Sequence, residues 1–194
     1  IGKLEIAFVF DVSGSMGSNN RMTNLKVAAR EAVDTLLPVD GYAGDPEDVR
    51  LAMVSYDTMV NAGPYFKAVT NKDPVRTEYY NGPIYERSSC RRTNWRGDCV
   101  EWNYRVKEEN ATRSFNISST CVWEREGSER YTDRNPAPGR WLTPISATFD
   151  PYNDRWTTDN GTSSWCNDDQ PVPLTYDRED LLDFIDDMRP RSNT

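Results

Sequence analysis

A short apolar run, Leu4-Glu5-Ile6-Ala7-Phe8-Val9-Phe10, leads directly into Asp11-Val12-Ser13-Gly14-Ser15-Met16-Gly17, and an amphipathic pattern follows over residues 20–37. The run is rich in β-branched and aromatic residues and reads as a strand buried on both faces. Behind it, Leu25, Ala28, Ala29, Ala32, Val33 and Leu36 recur at helical spacing, and Pro38 and Gly41 end the pattern. A second strand is predicted over residues 49–56. Two strands joined by a helix imply a right-handed parallel crossover. A carboxylate and two hydroxyls, spaced two apart, thereby stand at the C-terminal end of a strand. Open α/β sheets bind their ligands at that end.

The character changes after residue 61. All six tryptophans fall in residues 62–172, and helical periodicity is lost there. Strand-like pieces cover residues 100–106, 120–125 and 140–149, and Glu126-Gly127-Ser128-Glu129 reads as a hairpin turn. Order returns at Pro173-Leu174-Thr175-Tyr176-Asp177, where Thr175 or Asp177 can cap a helix reaching Met188. Leu181, Leu182, Phe184, Ile185 and Met188 form its apolar face, and Pro190 breaks it. The expected organisation is therefore residues 1–61 as the first part of an α/β domain, residues 62–172 as a β-rich insertion, and residues 173–194 as the resumption of that domain. The chain opens in a strand and stops just after a helix, so it reads as a piece of a longer protein.

Composition narrows the chemistry. With no histidine in 194 residues, Ser-His-Asp and Cys-His catalysis and His-ligated zinc are excluded. A net charge of −8 argues against nucleic acid, since phosphate binding needs an excess of Lys and Arg. No run approaches the roughly 18 apolar residues of a membrane span. The four cysteines, Cys90, Cys99, Cys121 and Cys166, include no C-x-x-C pair. An even number in a loop-rich, aromatic-rich stretch points to two disulfides and an oxidising compartment. The count alone allows three connectivities.

The Asp11-x-Ser13-x-Ser15 spacing suits a hard cation. Residues two apart in an extended turn point to one side, so three oxygen donors can converge. Mg²⁺ takes six oxygens and keeps waters. One carboxylate and two neutral hydroxyls leave such an ion short of negative charge, with coordination positions open to an external carboxylate. As an isolated motif, the same residues would form a strand-end turn closed by local hydrogen bonds. A nucleophile elbow does not fit, because Gly14 directly precedes Ser15. A P-loop does not fit either, for want of Gly-Lys-[Ser/Thr].

Asp11-Val12-Ser13-Gly14-Ser15-Met16, with the strand before it and the helix after it, resembles the metal-ion-dependent adhesion site of von Willebrand factor type A domains. The resemblance implies an α/β fold, a doubly wound and mostly parallel sheet, here incomplete and carrying a large β-rich, disulfide-containing insertion. It implies Asp11, Ser13 and Ser15 as ligands of Mg²⁺ (or Ca²⁺ or Mn²⁺). It adds Thr194 as the further ligand, with Ser192 as second choice. The family's last ligand, an Asp on a later strand, has no counterpart before the chain stops. Gly97-Asp98-Cys99-Val100-Glu101, Cys166 and Pro173-Leu174-Thr175 are similar to bacterial TadG-like proteins of the tight-adherence (Flp) pilus system. That similarity implies pairing of Cys99 with Cys166 and of Cys90 with Cys121. It also implies a place on the periplasmic or extracellular side of the cell envelope, with a membrane anchor outside this segment.

The expected function is a non-enzymatic module that binds a protein partner through the partner's acidic side chain on the metal, pilus and envelope components being the candidates that the TadG-like resemblance implies. The alternatives are structural support of pilus assembly, with the metal only bracing the loop, and a cytosolic type A domain serving an AAA+ ATPase.

Overall fold

The computed structural model describes residues 3–38, 48–158 and 166–191. These form two compact units, one drawn from Ile1–Lys72, Thr120–Pro144 and Trp165–Thr194, the other from Asp73–Ser119 and Ile145–Ser164. The stretch 62–172, expected as a single insertion, is thus divided between them.

The first unit opens with β1 (Leu4–Asp11), α1 (Arg21–Leu36) and β2 (Val49–Tyr56). β1 and β2 are parallel, in register from Leu4 against Val49 to Asp11 against Tyr56. β2 then turns back at once into β3 (Val60–Asn61), and α2 (Phe66–Thr70) follows. A hydrogen-bonded turn accomplishes the reversal: Asp57 Oδ1 accepts from the Met59 amide at 2.9 Å. Later in the chain, β6 (Cys121–Trp123), β7 (Thr143–Pro144) and β10 (Val172–Thr175) join the same sheet. α3 (Arg178–Asp187) closes the unit, its first turn capped by the Asp177 carboxylate accepting from the Glu179 amide at 2.9 Å.

In β2, burial alternates residue by residue, so one face of the sheet carries the core. Val49, Leu51 and Met53 from that face pack with Val33 and Ala29 of α1 and with Leu181, Phe184 and Ile185 of α3. Leu51, Val33, Leu181, Ile185 and Met188 are fully buried, each stabilising the fold by roughly 1.5–3 kcal/mol. The opposite face carries the Glu5–Arg50 ion pair and Val9, which is 63% exposed. The expectation of β1 buried on both faces is corrected accordingly.

The expected doubly wound, mostly parallel α/β sheet is not the fold. Strand accounts for 43% of the described residues and helix for 25%. Among the described residues only β1 and β2 of this sheet pair in parallel; β10–β2, β2–β3, β3–β6 and β6–β7 are all antiparallel. Among the described residues β1 pairs with β2 alone and lies at the sheet edge. The physical reason is the turn after Tyr56. A doubly wound sheet needs a helical crossover there to return the chain in parallel, and a three-residue reversal delivers an antiparallel strand instead.

The second unit is built on a long antiparallel hairpin, β4 (Val75–Thr93) against β5 (Cys99–Ser118), with a smaller pair, β8 (Ala147–Asp150) against β9 (Arg155–Thr158). One cluster of its core joins Ile84, Ala111 and Phe149, with Tyr80 and Trp156 against them, and Ile117 and Ile145 are fully buried as well. The hairpin turn expected at residues 126–129, in the first unit, is instead a short 3₁₀ segment, Gly127–Tyr131.

Both disulfides form, but in the other pairing. Cys90 bonds to Cys99 across the hairpin and Cys121 to Cys166 within the first unit, with Cα separations of 5.8 and 5.5 Å. The expected Cys99–Cys166 and Cys90–Cys121 bonds are overturned by register. Thr93 lies opposite Cys99 and Cys90 opposite Trp102, which brings the first two thiols together at the hairpin end. Two disulfides fit an oxidising compartment. No helix among the described residues is long and apolar enough to cross a membrane.

Candidate functional site

The Asp11–Gly17 loop leaves the C-terminal end of β1, as its sequence position requires. The Val12 amide donates to the Tyr56 carbonyl at 2.8 Å, continuing the ladder one residue beyond the strand. Asp11 Oδ1 then accepts from the Ser13 amide at 2.8 Å, an Asx turn that swings the chain out of the sheet. A 3₁₀ turn over Gly14–Gly17 follows, begun by the Met16 amide donating to the Ser13 carbonyl at 2.9 Å. The Ser13 and Ser15 hydroxyls are brought to 3.2 Å of each other. Arg21, in the first turn of α1, donates to the Ser15 carbonyl at 3.1 Å and braces the loop.

These distances can be set against an ion's needs. An octahedral Mg²⁺ with oxygens at about 2.1 Å holds neighbouring ligands about 3 Å apart. The two hydroxyls already stand at nearly that separation, and one oxygen of Asp11 has no hydrogen-bond partner among the described residues. The donor set fits a hard cation at partial occupancy of its coordination sphere. Ser192 and Thr194 lie outside the described residues. Among the described residues, no three or more carboxylates or thiols gather in a way that could hold a metal. The Asp-Ser-Ser loop differs in kind, since two of its three donors are hydroxyls.

Asp57, one residue past the end of β2, stands at the same sheet end as Asp11. Its side chain is 3% exposed and pairs with the Arg191 guanidinium, while the Arg191 amide donates to the Val12 carbonyl at 2.8 Å. Arg191 therefore ties the segment after α3 to both the strand-end loop and the β2 turn. Burial pushes the Asp57 carboxyl up, but the Arg191 hydrogen bond and those from the Met59 and Thr58 amides outweigh it, leaving the pKa below the ordinary carboxylate value.

Ser55, buried near the end of β2, donates to Asp169 Oδ2 at 3.0 Å and accepts from Asn167 Nδ2 at 2.9 Å. Burial, aided by Asp187 and Asp168, holds Asp169 above the ordinary carboxylate value despite the Ser55 bond. Tyr56, opposite Asp11, also borders an apolar cavity of about 460 Å³ walled by Tyr65, Val69, Val122, Trp123 and Leu142.

Sequence reasoning singled out Asp11, Ser13 and Ser15, which lie on the loop after β1, and did not single out Asp57, Arg191, Ser55 and Asp169. A signal for the first was present: Asp57 follows its strand as Asp11 ends β1. Nothing local marks Arg191 as its partner. No family model matches the chain, nor does any curated protein or solved structure match it significantly.

Proposed function

We propose that the chain is a non-enzymatic binding module whose Asp11, Ser13 and Ser15 hold a divalent cation, Mg²⁺ first among candidates, and which engages an acidic side chain of a protein partner. The observation that supports this most is the 3.2 Å approach of the two serine hydroxyls on a loop that starts from a strand-end carboxylate. A bound ion would supply concentrated positive charge with coordination positions left open. The protein's own part is to hold the donors on a braced loop beside the sheet edge. Asp57 adds little negative charge there, because Arg191 neutralises it. The cavity bordered by Tyr56, the residue paired with Asp11, would offer an apolar seat at the same sheet end, where a partner's apolar side chain could anchor.

The two disulfides support a setting outside the reducing cytosol. The bacterial cell envelope is the finer reading, resting on the resemblance to TadG-like proteins. One observation favours a second reading, that the loop only supports structure. The Asp11–Ser13 bond closes the turn without any ion.

Calorimetric titration with Mn²⁺ and Mg²⁺ separates the two. The binding reading expects a single site that Asp11→Ala weakens by at least about tenfold, as loss of a ligand should exceed loss of an outer partner. A titration with no heat, or heat unchanged in Asp11→Ala, would sink it.

A further inference from the structure

The outer end of the β4–β5 hairpin is built to present two charges. The last paired residues are Thr93 and Cys99, and the Cys90–Cys99 disulfide closes the strands beneath the turn. Asn94 organises what lies between. Its amide donates to the Asp98 carbonyl at 2.8 Å, and its carbonyl accepts from the Gly97 amide at 3.1 Å. Its side-chain oxygen accepts from the Arg96 and Asp98 amides at 2.9 and 3.0 Å. Gly97 has φ +87°, the left-handed position that a tight hairpin turn of this kind assigns to glycine. This is a set conformation, not a slack loop.

The side chains of this turn face water. Trp95 is 86% exposed, and the Arg96 guanidinium lies over its ring at 4.6 Å. Asp98 is exposed, and its carboxylate accepts one bond, from Asn94 Nδ2 at 3.1 Å. Elsewhere on this half of the hairpin, several charged side chains are matched. Arg91 and Arg92 pair with Glu101, Arg105 pairs with Glu86, and Arg87 stacks on Trp102. Among the described residues, neither Arg96 nor Asp98 enters an ion pair.

An unpaired guanidinium and an unpaired carboxylate, one glycine apart on a disulfide-closed turn, make a two-point recognition element with its ordering entropy already spent. We propose that Arg96-Gly97-Asp98 is a docking site for a protein receptor whose cleft seats the guanidinium in an acidic pocket and the Asp98 carboxylate on a divalent cation. The cation follows from charge, because a single residue separates the two groups. A receptor Lys or Arg placed for Asp98 would lie close to that acidic pocket and pair with it. A metal ion held by the receptor's own ligands concentrates charge in one atom and keeps open positions for Asp98. The site is independent of the Asp11 loop.

The test is surface plasmon resonance of the intact chain on an immobilised integrin ectodomain that binds Arg-Gly-Asp peptides, in Mn²⁺. Binding should vanish in EDTA, be displaced by a linear Gly-Arg-Gly-Asp-Ser peptide, and fall by roughly thirtyfold or more in Asp98→Asn. Asp98→Asn keeps the backbone bonds of the turn, and circular dichroism checks that the hairpin persists. Asp11→Ala should bind as the parent does, which keeps this result separate from the fate of the strand-end site. Absence of binding, or binding that survives EDTA or Asp98→Asn, would overturn the proposal. So would Mn²⁺-dependent self-association lost in both Asp98→Asn and Asp11→Ala, which would assign the tip to a second copy of the chain.

Discussion

Asp57 is the residue on which the strand-end geometry depends most. It is almost wholly shielded, it anchors the reversal after β2, and Arg191 reaches it across 134 positions of sequence. Removing one partner of a buried pair leaves the other charge uncompensated, at about 3–5 kcal/mol. Arg191 keeps 20% exposure, which places the expected loss for Asp57→Asn near the low end, about 3 kcal/mol by urea denaturation at pH 7. The sign with pH follows from the depressed carboxyl. Its stabilisation is complete above the unfolded pKa, about 4, and is lost as pH falls through the lower folded value. Asp57→Asn should lack that acid limb. Asp169 behaves oppositely. Its raised carboxyl favours the protonated fold, so its contribution is full at low pH and lost as pH rises through the folded pKa. Asp169→Asn, which can still accept from Ser55, should melt higher than the parent at pH 7, and the gap should close on acidification; a lower melting temperature at pH 7 would contradict the assignment. The legibility of these residues divides along the same line. Asp11, Ser13 and Ser15 are near neighbours, so their convergence is a property of local turn geometry. The Asp57–Arg191 and Ser55–Asp169 contacts arise only once α3 and the segment before β10 have packed, and no spacing announces them.

At the scale of elements, the helices and the first two strands follow from pattern and end signals. α1 and α3 keep their apolar stripes, and of the two candidate caps, Thr175 and Asp177, Asp177 caps α3. β4 was invisible for a physical reason. Most of its outer half is exposed, so no apolar alternation is needed, and Gly82 and Pro83 interrupt it. What holds that half are cross-strand pairs such as Glu86 with Arg105 and Arg92 with Glu101. Each contributes only about 0.2–1 kcal/mol. The disulfides therefore carry different weights. Cys121 and Cys166 are separated by 45 residues and both buried, while Cys90 and Cys99 are separated by nine and sit at the hairpin end. Chain entropy gives about 4 kcal/mol for the longer loop and about 2.5 for the shorter. Replacing Cys121 and Cys166 together by serine should lower the denaturation midpoint of the first unit markedly. The Cys90 and Cys99 double replacement should loosen the hairpin tip and leave α1, α3 and β2 unchanged by amide exchange. Equal losses in both double variants would contradict this division.

At the scale of the molecule, the opening β-α-β segment is shared by doubly wound sheets and by the present fold, which is why residues 1–61 alone read as the former. The two part company at Asp57–Met59, where the chain reverses instead of crossing over. That difference has a measurable consequence in β1. In a doubly wound sheet the first strand has neighbours on both sides, and every amide along it is hydrogen-bonded. Here β1 pairs only with β2 among the described residues, and successive amides of a strand point to opposite sides. Every second amide of Leu4–Asp11 should therefore exchange quickly, at the rates of edge positions, while the alternate ones bonded to β2 exchange slowly. β2 has partners on both edges, β1 and β10, and its amides from Leu51 to Met53 should be among the slowest in the chain. Hydrogen–deuterium exchange followed by NMR resolves the two patterns directly. Alternating protection in β1 beside continuous protection in β2 is the signature of the edge strand; continuous protection through β1 would mean that another strand covers that edge, and the sheet order given above would have to be redrawn.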